Sequence, residues 1–217
     1  AEQGLNLRAA SNATVRKQFE ALGEVLGLEE PPGRLECFDI SHTSGEATVA
    51  SCVVFNEAGP LKSDYRRFNL KPASAGDDYA AMAEALTRRY ARVKRGEVPM
   101  PDVLFVDGGK GQLGEAMKVL EELELDWLNV VAVAKGRARR PGAERLFRPG
   151  EPVPMTLPPD SPALLLIQQQ LARRHRRGEL RLELGEAFAP VRSGQRQHAA
   201  VELRPQLLHQ EHQVLVG

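Results

Sequence analysis

Two aspartates stand where apolar strands would otherwise continue, and their chemistry is that of cation ligands. Asp39 interrupts the apolar run "LECFDIS", and His42 follows closely. Asp107 ends the run "VLFV" and precedes the glycine-rich stretch "GGKG". Burying a carboxylate is costly unless a positive charge or several donors satisfy it. Each aspartate therefore requires a partner.

A shared metal ion would satisfy both carboxylates. Open α/β sheets place their sites at strand ends beside such turns, and carboxylates on adjacent strands can share one cation. Mg²⁺ and Mn²⁺ prefer oxygen ligands and keep bound waters that can attack a phosphodiester. The sequence predicts that Asp39 and Asp107 converge on Mg²⁺ or Mn²⁺ at one edge of a sheet.

Each aspartate also has a purely structural explanation. Asp107 could cap the helix that starts near Gly111. Asp39 could be satisfied by backbone donors or by Arg34. The turn "GGKG" is not a nucleotide-binding P-loop, because the frame GxxxxGK[ST] is absent and Gln112 stands where Ser or Thr is required.

His175 is the third candidate for the site. Leu171, Gln168 and Leu164 precede it with helical spacing, on a stripe that should face the sheet. A histidine on that stripe could bind a metal or take a proton from an attacking water. A simpler interpretation is also open, because "ARRHRRG" could be a solvated basic face or a charge cluster at a helix C-terminus.

Basic residues could hold the phosphates of a nucleic acid near the same edge. The loop "KGRARRPG" is the most specific of these signals, because it follows a buried strand. Any one basic cluster is also compatible with a solvated surface. The predicted DNA-binding residues are Lys110, Arg66, Arg67, Lys135, Arg137, Arg139 and Arg140.

Composition is typical of a soluble globular protein and gives no direct sign of a partner. The 217 residues include 29 Lys or Arg and 29 Asp or Glu, so net charge neither favours nor excludes nucleic acid. Cys37 and Cys52 lie in apolar runs and are predicted to be buried free thiols. No apolar run has the length of a membrane span. We expect a cytoplasmic protein with no membrane partner.

The elements that must position these residues are strands followed by alternating helices and strands. A helix is predicted over 11–28, before three strand-like runs, "RLECFDIS", "EATVASCVVFNE" and "PLKSDYRRFNL". A helix over 76–97 precedes a strand, glycine turn and helix over 101–123, and then the strand "WLNVVAVAKG". The last helix begins with Ser161 as N-cap and Pro162 at its first position. This order predicts an α/β fold, a mixed sheet with helices on its faces.

Six stretches of the chain are long enough to be specific: "ECFDISHTSGEATVASCVVF", "GPLKSDYRRFN", "GDDYAAM", "PDVLFVDGGKGQL", "VVAVAKG" and "LPPDSPALLLIQQ". They strongly resemble the UvrC family, the nuclease subunit of the bacterial excinuclease of nucleotide excision repair. The resemblance implies a ribonuclease H-like fold and metal-dependent incision of damaged DNA on the 5′ side of the lesion. It also implies UvrB, in a UvrB–DNA complex, as a partner. A 3′-incising nuclease domain and a UvrB-binding segment are expected before residue 1.

The same resemblance assigns the catalytic residues, which are also the metal ligands. Asp39 matches the aspartate of the family's Phe-Asp-Ile-Ser-His motif, and Asp107 matches that of Val-Asp-Gly-Gly-Lys-Gly. His175 falls at the position of the family's histidine, after Ile-Gln-Gln-Ile-Arg-Asp-Glu-Ala. The family's Asp and Glu are Ala172 and Arg173 here.

The similarity ends near residue 175, where the composition of the chain changes. Residues 171–217 contain no Lys or Asp but eight arginines and four of the five histidines. A reading-frame change would produce such a tail, and the family's helix-hairpin-helix DNA-binding module has no counterpart in it. We predict a helical lead-in over 1–33, from a longer protein, a ribonuclease H-like endonuclease domain over 34–178, and a divergent tail over 179–217 that could be disordered.

The altered stretch leaves two other functions open. The chain could be a catalytically impaired remnant that only binds DNA or a repair protein, or an unrelated metal-dependent phosphotransferase. For the last helix, we expect formation through about residue 174, carrying His175 towards the two aspartates. Its predicted sheet-covering residues are Leu164, Leu165, Ile167 and Leu171.

Overall fold

The computed structural model describes four segments of the chain. They are residues 2–43, 46–70, 77–136 and 142–184, with side chains described over 11–41, 48–70, 77–136 and 142–173. Three predicted DNA-binding residues, Arg137, Arg139 and Arg140, lie outside the described residues, as does most of the predicted tail. Within these segments, no helix has both the length and the apolar character needed to cross a membrane.

The helices and strands follow the predicted order. The helices are α1 Glu2–Leu26, α2 Asp78–Lys94, α3 Lys110–Glu122 and α4 Pro162–Leu184. The strands are β1 Arg34–Thr43, β2 Glu46–Asn56, β3 Gly59–Pro60, β4 Arg66–Asn69, β5 Val103–Asp107, β6 Asn129–Ala134 and β7 Arg145–Phe147. The third strand-like run forms two short strands, β3 and β4, because a 3₁₀ turn at Lys62–Asp64 separates them.

The strands form one mixed sheet, as the sequence predicted. Their order is β3-β2-β1-β5-β6-β7, and β4 also pairs with β2. The central strands β1, β5 and β6 are parallel, whereas β2 and β7 run antiparallel to their neighbours. Parallel strands bring their C-terminal ends to one edge, so residues that follow β1, β5 and β6 meet there.

Helices cover both faces of the sheet. Phe38 of β1 lies 6.3 Å from Tyr90 of α2, between ring centroids. The guanidinium of Arg173 in α4 lies over the ring of Phe55, which pairs with Leu35 of β1. Because residues 35 and 38 of a strand point to opposite faces, α2 and α4 lie on opposite sides of the sheet. The helix α3 packs beside α2, and α1 packs beside α4.

The last helix differs from its prediction in two details. Leu165 is 42% exposed, whereas Leu164, Leu166 and Ile167 are buried. The prediction for Leu165 was wrong because the buried face of the helix passes through residues 163, 166, 167 and 170, which leaves position 165 on the outer side. The helix also continues through Gly178 to Leu184. A glycine costs a helix about 1 kcal/mol relative to alanine, which is too little to end it.

Gln170 occupies a core position of α4 and gives the first testable prediction. It is 1% exposed, and neither amide atom has a hydrogen-bond partner among the described residues. An unsatisfied buried polar group costs about 1–3 kcal/mol. Gln170→Ile, which restores the residue of the family motif, should therefore raise the free energy of unfolding by about that amount in urea denaturation.

The neighbouring Gln169 is exposed and supplies the control. Gln169→Ile should change the free energy of unfolding by less than about 0.5 kcal/mol. A neutral or destabilising Gln170→Ile would show that the Gln170 amide is satisfied in the native protein.

Candidate active site

Asp39 and Asp107 are neighbours on the same face of the sheet. In the parallel ladder between β1 and β5, Cys37 pairs with Phe105 and Phe38 pairs with Val106. Asp39 and Asp107 are the next residues of the two strands. Adjacent strands lie about 4.8 Å apart, so side chains at matching positions on one face are close. The structure brings the two predicted ligands together at the C-terminal edge of the sheet.

Asp39 is held in a buried position by its own strand. Asp39 is 5% exposed. The hydroxyl of Ser41 donates a hydrogen bond to Asp39 Oδ2 at 3.2 Å. Arg34, the alternative partner, contacts Asp64 at 2.8 Å and Glu36 at 3.2 Å. Arg34 also lies roughly 16 Å from Asp39 along the strand, at 3.3 Å per residue, so it does not compensate the Asp39 carboxylate.

The glycine turn after β5 separates Asp107 from the N-cap position of α3. The helix α3 begins at Lys110, and its N-cap is Gly109, whose N–H donates to Gln112 Oε1 at 3.2 Å. Gly108 has a φ of +148° and a Cβ there would lie 2.5 Å from Gln112 Cδ, so only glycine fits. Gly109, and not Asp107, therefore occupies the N-cap position of α3.

A cavity of about 620 Å³ opens in front of the two aspartates. It is lined by Asp39, Ile40, Asp78, Asp107, Gly108, Gly109, Gln112, Ala134, Lys135 and Gly136. The cavity lies where the C-terminal ends of β1, β5 and β6 meet the N-terminal ends of α2 and α3. Three carboxylates and one lysine share it, an arrangement suited to a divalent cation and a phosphate group.

Asp78 is the site residue that the sequence interpretation missed. It is the first residue of α2, where acids are expected simply because they favour a helix N-terminus. The signal that could have found it is the doubled aspartate in "GDDY". Asp77 already caps the helix by accepting hydrogen bonds from the N–H groups of Tyr79 and Ala80, so Asp78 is not needed for capping.

The predicted phosphate-binding lysines occupy different places. Lys135, which follows β6, is exposed and lines the cavity. Lys110 is not among the cavity-lining residues, and its ammonium group donates to the carbonyl of Pro152 at 2.8 Å. The structure therefore brings Lys135 to the aspartates and turns Lys110 towards the 151–155 segment.

The two predicted arginines of β4 lie on opposite faces of the sheet. Ser51 of β2 pairs with Asp39 on one side and with Arg67 on the other, so Arg67 shares the face of Asp39 two strands away, or roughly 10 Å. Arg66 points to the other face, where its Nη1 donates to the carbonyls of Ser63 and Tyr65 at 2.7 and 2.8 Å. Only Arg67 is placed beside the candidate site.

The residues present fit a hard divalent cation that keeps part of its water shell. Mg²⁺ is commonly bound through one or two carboxylates rather than by an all-protein cage, which matches the pair formed by Asp39 and Asp107. Among the described side chains, no group of three or more His, Cys, Asp or Glu residues could hold a metal ion. His175 lies in α4, but its side chain is outside the described part, and its role stays a prediction.

Comparison with known proteins identifies the family. The family model described as the UvrC RNase H endonuclease domain matches residues 23–178. The chain belongs to the UvrC family. The match confirms the predicted ribonuclease H-like fold, and it includes both aspartates, the glycine turn and most of α4.

Curated relatives agree with this membership. The chain is 60% identical over 176 residues to UvrABC system protein C of Pseudomonas syringae pv. syringae (strain B728a). It has the same identity to the protein of that name from Pseudomonas aeruginosa (strain LESB58). In each case the match covers 81% of this chain and 29% of the relative, so the chain spans less than a third of the relatives' length.

Two solved structures are distantly similar to the chain. The catalytic domain of human Endonuclease V is 22% identical, with a TM-score of 0.35, over 62% of this chain and 59% of that chain. Endonuclease V of Ciona intestinalis, in complex with a DNA that contains inosine, is 16% identical with the same TM-score, over 63% and 59% of the two chains. The fold assignment rests on the family match.

Proposed function

We propose that this chain is a DNA endonuclease of nucleotide excision repair that incises the damaged strand on the 5′ side of the lesion. The reaction would be metal-dependent hydrolysis of a phosphodiester in the cytoplasm. The observation that carries the proposal is the Asp39–Asp107 pair at the open edge of the sheet, in a chain of the UvrC family. Damaged DNA and UvrB, in a UvrB–DNA complex, are the proposed partners.

Asp39 and Asp107 would hold Mg²⁺ or Mn²⁺, with His175 as a further ligand or as the group that takes a proton from the attacking water. The cation supplies a Lewis acid and a water of lowered pKa when bound. Ser41 orients the Asp39 carboxylate through its hydrogen bond. Lys135 would contact a phosphate oxygen from the cavity wall, and Asp78 would add negative charge beside the ligand pair.

Nicking of a supercoiled plasmid carrying lesions tests the proposal directly. The complete chain should convert the plasmid to its open circular form with Mg²⁺ or Mn²⁺ and not with EDTA. DNA binding without nicking in either metal would favour the second candidate function, a binding module for DNA or a repair protein. The specific observation behind that candidate is the altered sequence before His175, where Ala172 and Arg173 replace acidic residues of the family motif.

A restored variant separates the two functions further. Leu171→Arg, Ala172→Asp, Arg173→Glu and Arg174→Ala together recreate the family stretch before His175. If positioning of the histidine limits activity, this variant should nick faster than the unaltered chain at equal DNA affinity. Equal rates would show that the altered stretch does not limit the reaction.

The adjacent arginines of β4 give a matched pair for the DNA-binding surface. Arg67→Glu should weaken DNA binding equally for all DNA sequences. It should also reduce the magnitude of the slope of log K against log salt concentration by about 1, since one phosphate contact is lost. Arg66→Glu introduces the same charge on the opposite face and should leave the slope unchanged. Titrations at several salt concentrations measure both. Equal effects of the two substitutions would remove Arg67 from the DNA-binding surface.

A further inference from the structure

Tyr79 presents an aromatic ring at the N-terminus of α2, which borders the cavity. The residue is 48% exposed and directly follows Asp78, which lines the cavity. On its other side the ring lies against Gly111 in the first turn of α3. A Cβ at position 111 would lie 2.4 Å from Tyr79 Oη and 2.5 Å from Cε1. The missing side chain of Gly111 therefore makes room for the ring between the N-termini of α2 and α3.

A role in the hydrophobic core does not explain why Tyr79 is half exposed. Tyr90, on the same helix, is completely buried, as expected of an aromatic residue that serves the core. Tyr79 instead keeps about half of its surface in contact with solvent, and its neighbour Asp78 lines a cavity whose lining also includes Lys135. Proteins that bind single-stranded nucleic acid combine such positive charge with aromatic rings on which bases stack.

We propose that Tyr79 stacks against an unpaired base of the strand that occupies the cavity. The inference rests on the proposed endonuclease function and names the DNA feature that the site selects. In a regular duplex both faces of each base are covered by neighbouring bases, whereas an unpaired base has a face available to the ring. Tyr79 would therefore be a positioning residue that favours distorted DNA over intact duplex and is insensitive to base identity, because every base has a π-face.

Binding measured in EDTA tests this inference without cleavage. The probes are two oligonucleotide duplexes of one sequence, fully paired or with a short unpaired bubble, each carrying 2-aminopurine at successive positions. Tyr79→Leu should lower affinity for the bubble by roughly 5- to 150-fold, the usual contribution of one stacked base, and leave the paired duplex unaffected. Tyr79→Phe should bind the bubble as the unaltered chain does. Fluorescence quenching of one bubble position should be lost in Tyr79→Leu only.

Two further variants distinguish stacking from a structural role. Gly111→Ala displaces the ring and should weaken bubble binding in the unaltered chain, but not further in Tyr79→Leu. Trp127 is another exposed aromatic residue, 65% exposed, and it lies next to the opposite edge of the sheet. Trp127→Leu should leave the affinity for both duplexes unchanged. Equal losses on bubble and duplex, or no loss with Tyr79→Leu, would overturn the inference. Binding without nicking would contradict only the proposed function, and absence of any DNA binding would contradict both.

Discussion

Replacing Asp39 or Asp107 with Asn should reduce metal-dependent nicking by at least roughly 10²-fold. Loss of a residue that merely orients a metal ligand already costs 10–100-fold in many sites, and these two carboxylates would be the ligands themselves. The amide of Asn keeps the size of the side chain and removes its charge. Initial rates of plasmid nicking across a range of Mg²⁺ concentrations measure the effect. The concentration for half-maximal rate should rise in any variant that retains activity.

Thermal unfolding of the same variants provides a test that does not depend on turnover. Two adjacent carboxylates repel each other when no cation is bound, so Asp107→Asn should be at least as stable as the unaltered chain in EDTA. A bound metal stabilises the unaltered chain by about 2.7 kcal/mol when its free concentration is 100 times its Kd. This gain should be lost in Asp107→Asn. Asp126→Asn, at an exposed position before β6, should keep both the gain and the nicking rate. Nicking at an unaltered rate by Asp39→Asn would place the catalytic centre elsewhere.

The aspartates could be found in the sequence because their signal is local. A carboxylate within or at the end of an apolar run conflicts with burial, and the glycine turn marks the end of β5. The placement of Asp39 and Asp107 on one face of the sheet, in contrast, depends on the tertiary fold. It depends on the register between β1 and β5, in which Cys37 pairs with Phe105. A shift of one residue would have turned the two side chains to opposite faces.

Asp78 shows where local interpretation fails, and Lys110 shows what it leaves undecided. Asp78 reaches the cavity because α2 packs on β1 and beside α3, and no periodicity within α2 contains that information. Lys110 follows the glycine turn, which favoured a phosphate-binding role, but its long side chain bonds to the carbonyl of Pro152. The direction of a surface lysine is decided by acceptors from distant parts of the chain. Sequence patterns therefore predicted which strands carry the site but not every residue at its rim.

A buried ion pair links the strand of Asp39 to the helix of Asp78. Glu36 of β1 is completely buried, Arg89 of α2 is 2% exposed, and two hydrogen bonds join them, Nη2 to Oε1 at 2.5 Å and Nε to Oε2 at 3.2 Å. Burial acts to lower the pKa of Arg89, but the hydrogen bonds and negative charge of Glu36 outweigh it and raise that pKa. Arg89 therefore stays charged at neutral pH although it is buried.

Neutral donors complete the environment of Glu36. The hydroxyl of Tyr90 lies 3.4 Å from Glu36 Oε2, and the thiol of Cys52 lies 3.8 Å from the same oxygen. Burial, and then the charge of Glu36, raise the pKa of Tyr90 and of Cys52 well above their ordinary values. Both groups therefore stay protonated and can donate. Arg34, at 3.2 Å from Glu36 Oε1, is the second positive charge near this carboxylate.

Arg89→Met should lower the free energy of unfolding by about 3–5 kcal/mol, because it leaves the Glu36 carboxylate buried with only part of its compensation. Urea denaturation measures the loss. The double variant Glu36→Leu with Arg89→Met should recover most of it, since a buried ion pair can be exchanged for apolar groups at little net cost. Arg92→Met, on the same helix as Arg89, breaks an exposed pair with Glu97, which follows the helix, and should cost less than about 1 kcal/mol. A loss of that small size for Arg89→Met would show that water reaches Glu36.

Activity of the double variant decides what the pair contributes to the site. If the pair serves to hold α2 on β1, then restored stability should bring restored nicking, because Asp78 and Asp39 return to their places. Nicking is best compared at a temperature where the single and double variants are both fully folded. A stable double variant that nicks as slowly as Arg89→Met would contradict a scaffolding role, since packing alone would then be insufficient. In that case the charges of Glu36 and Arg89 would act on the aspartates through the electric field of the site.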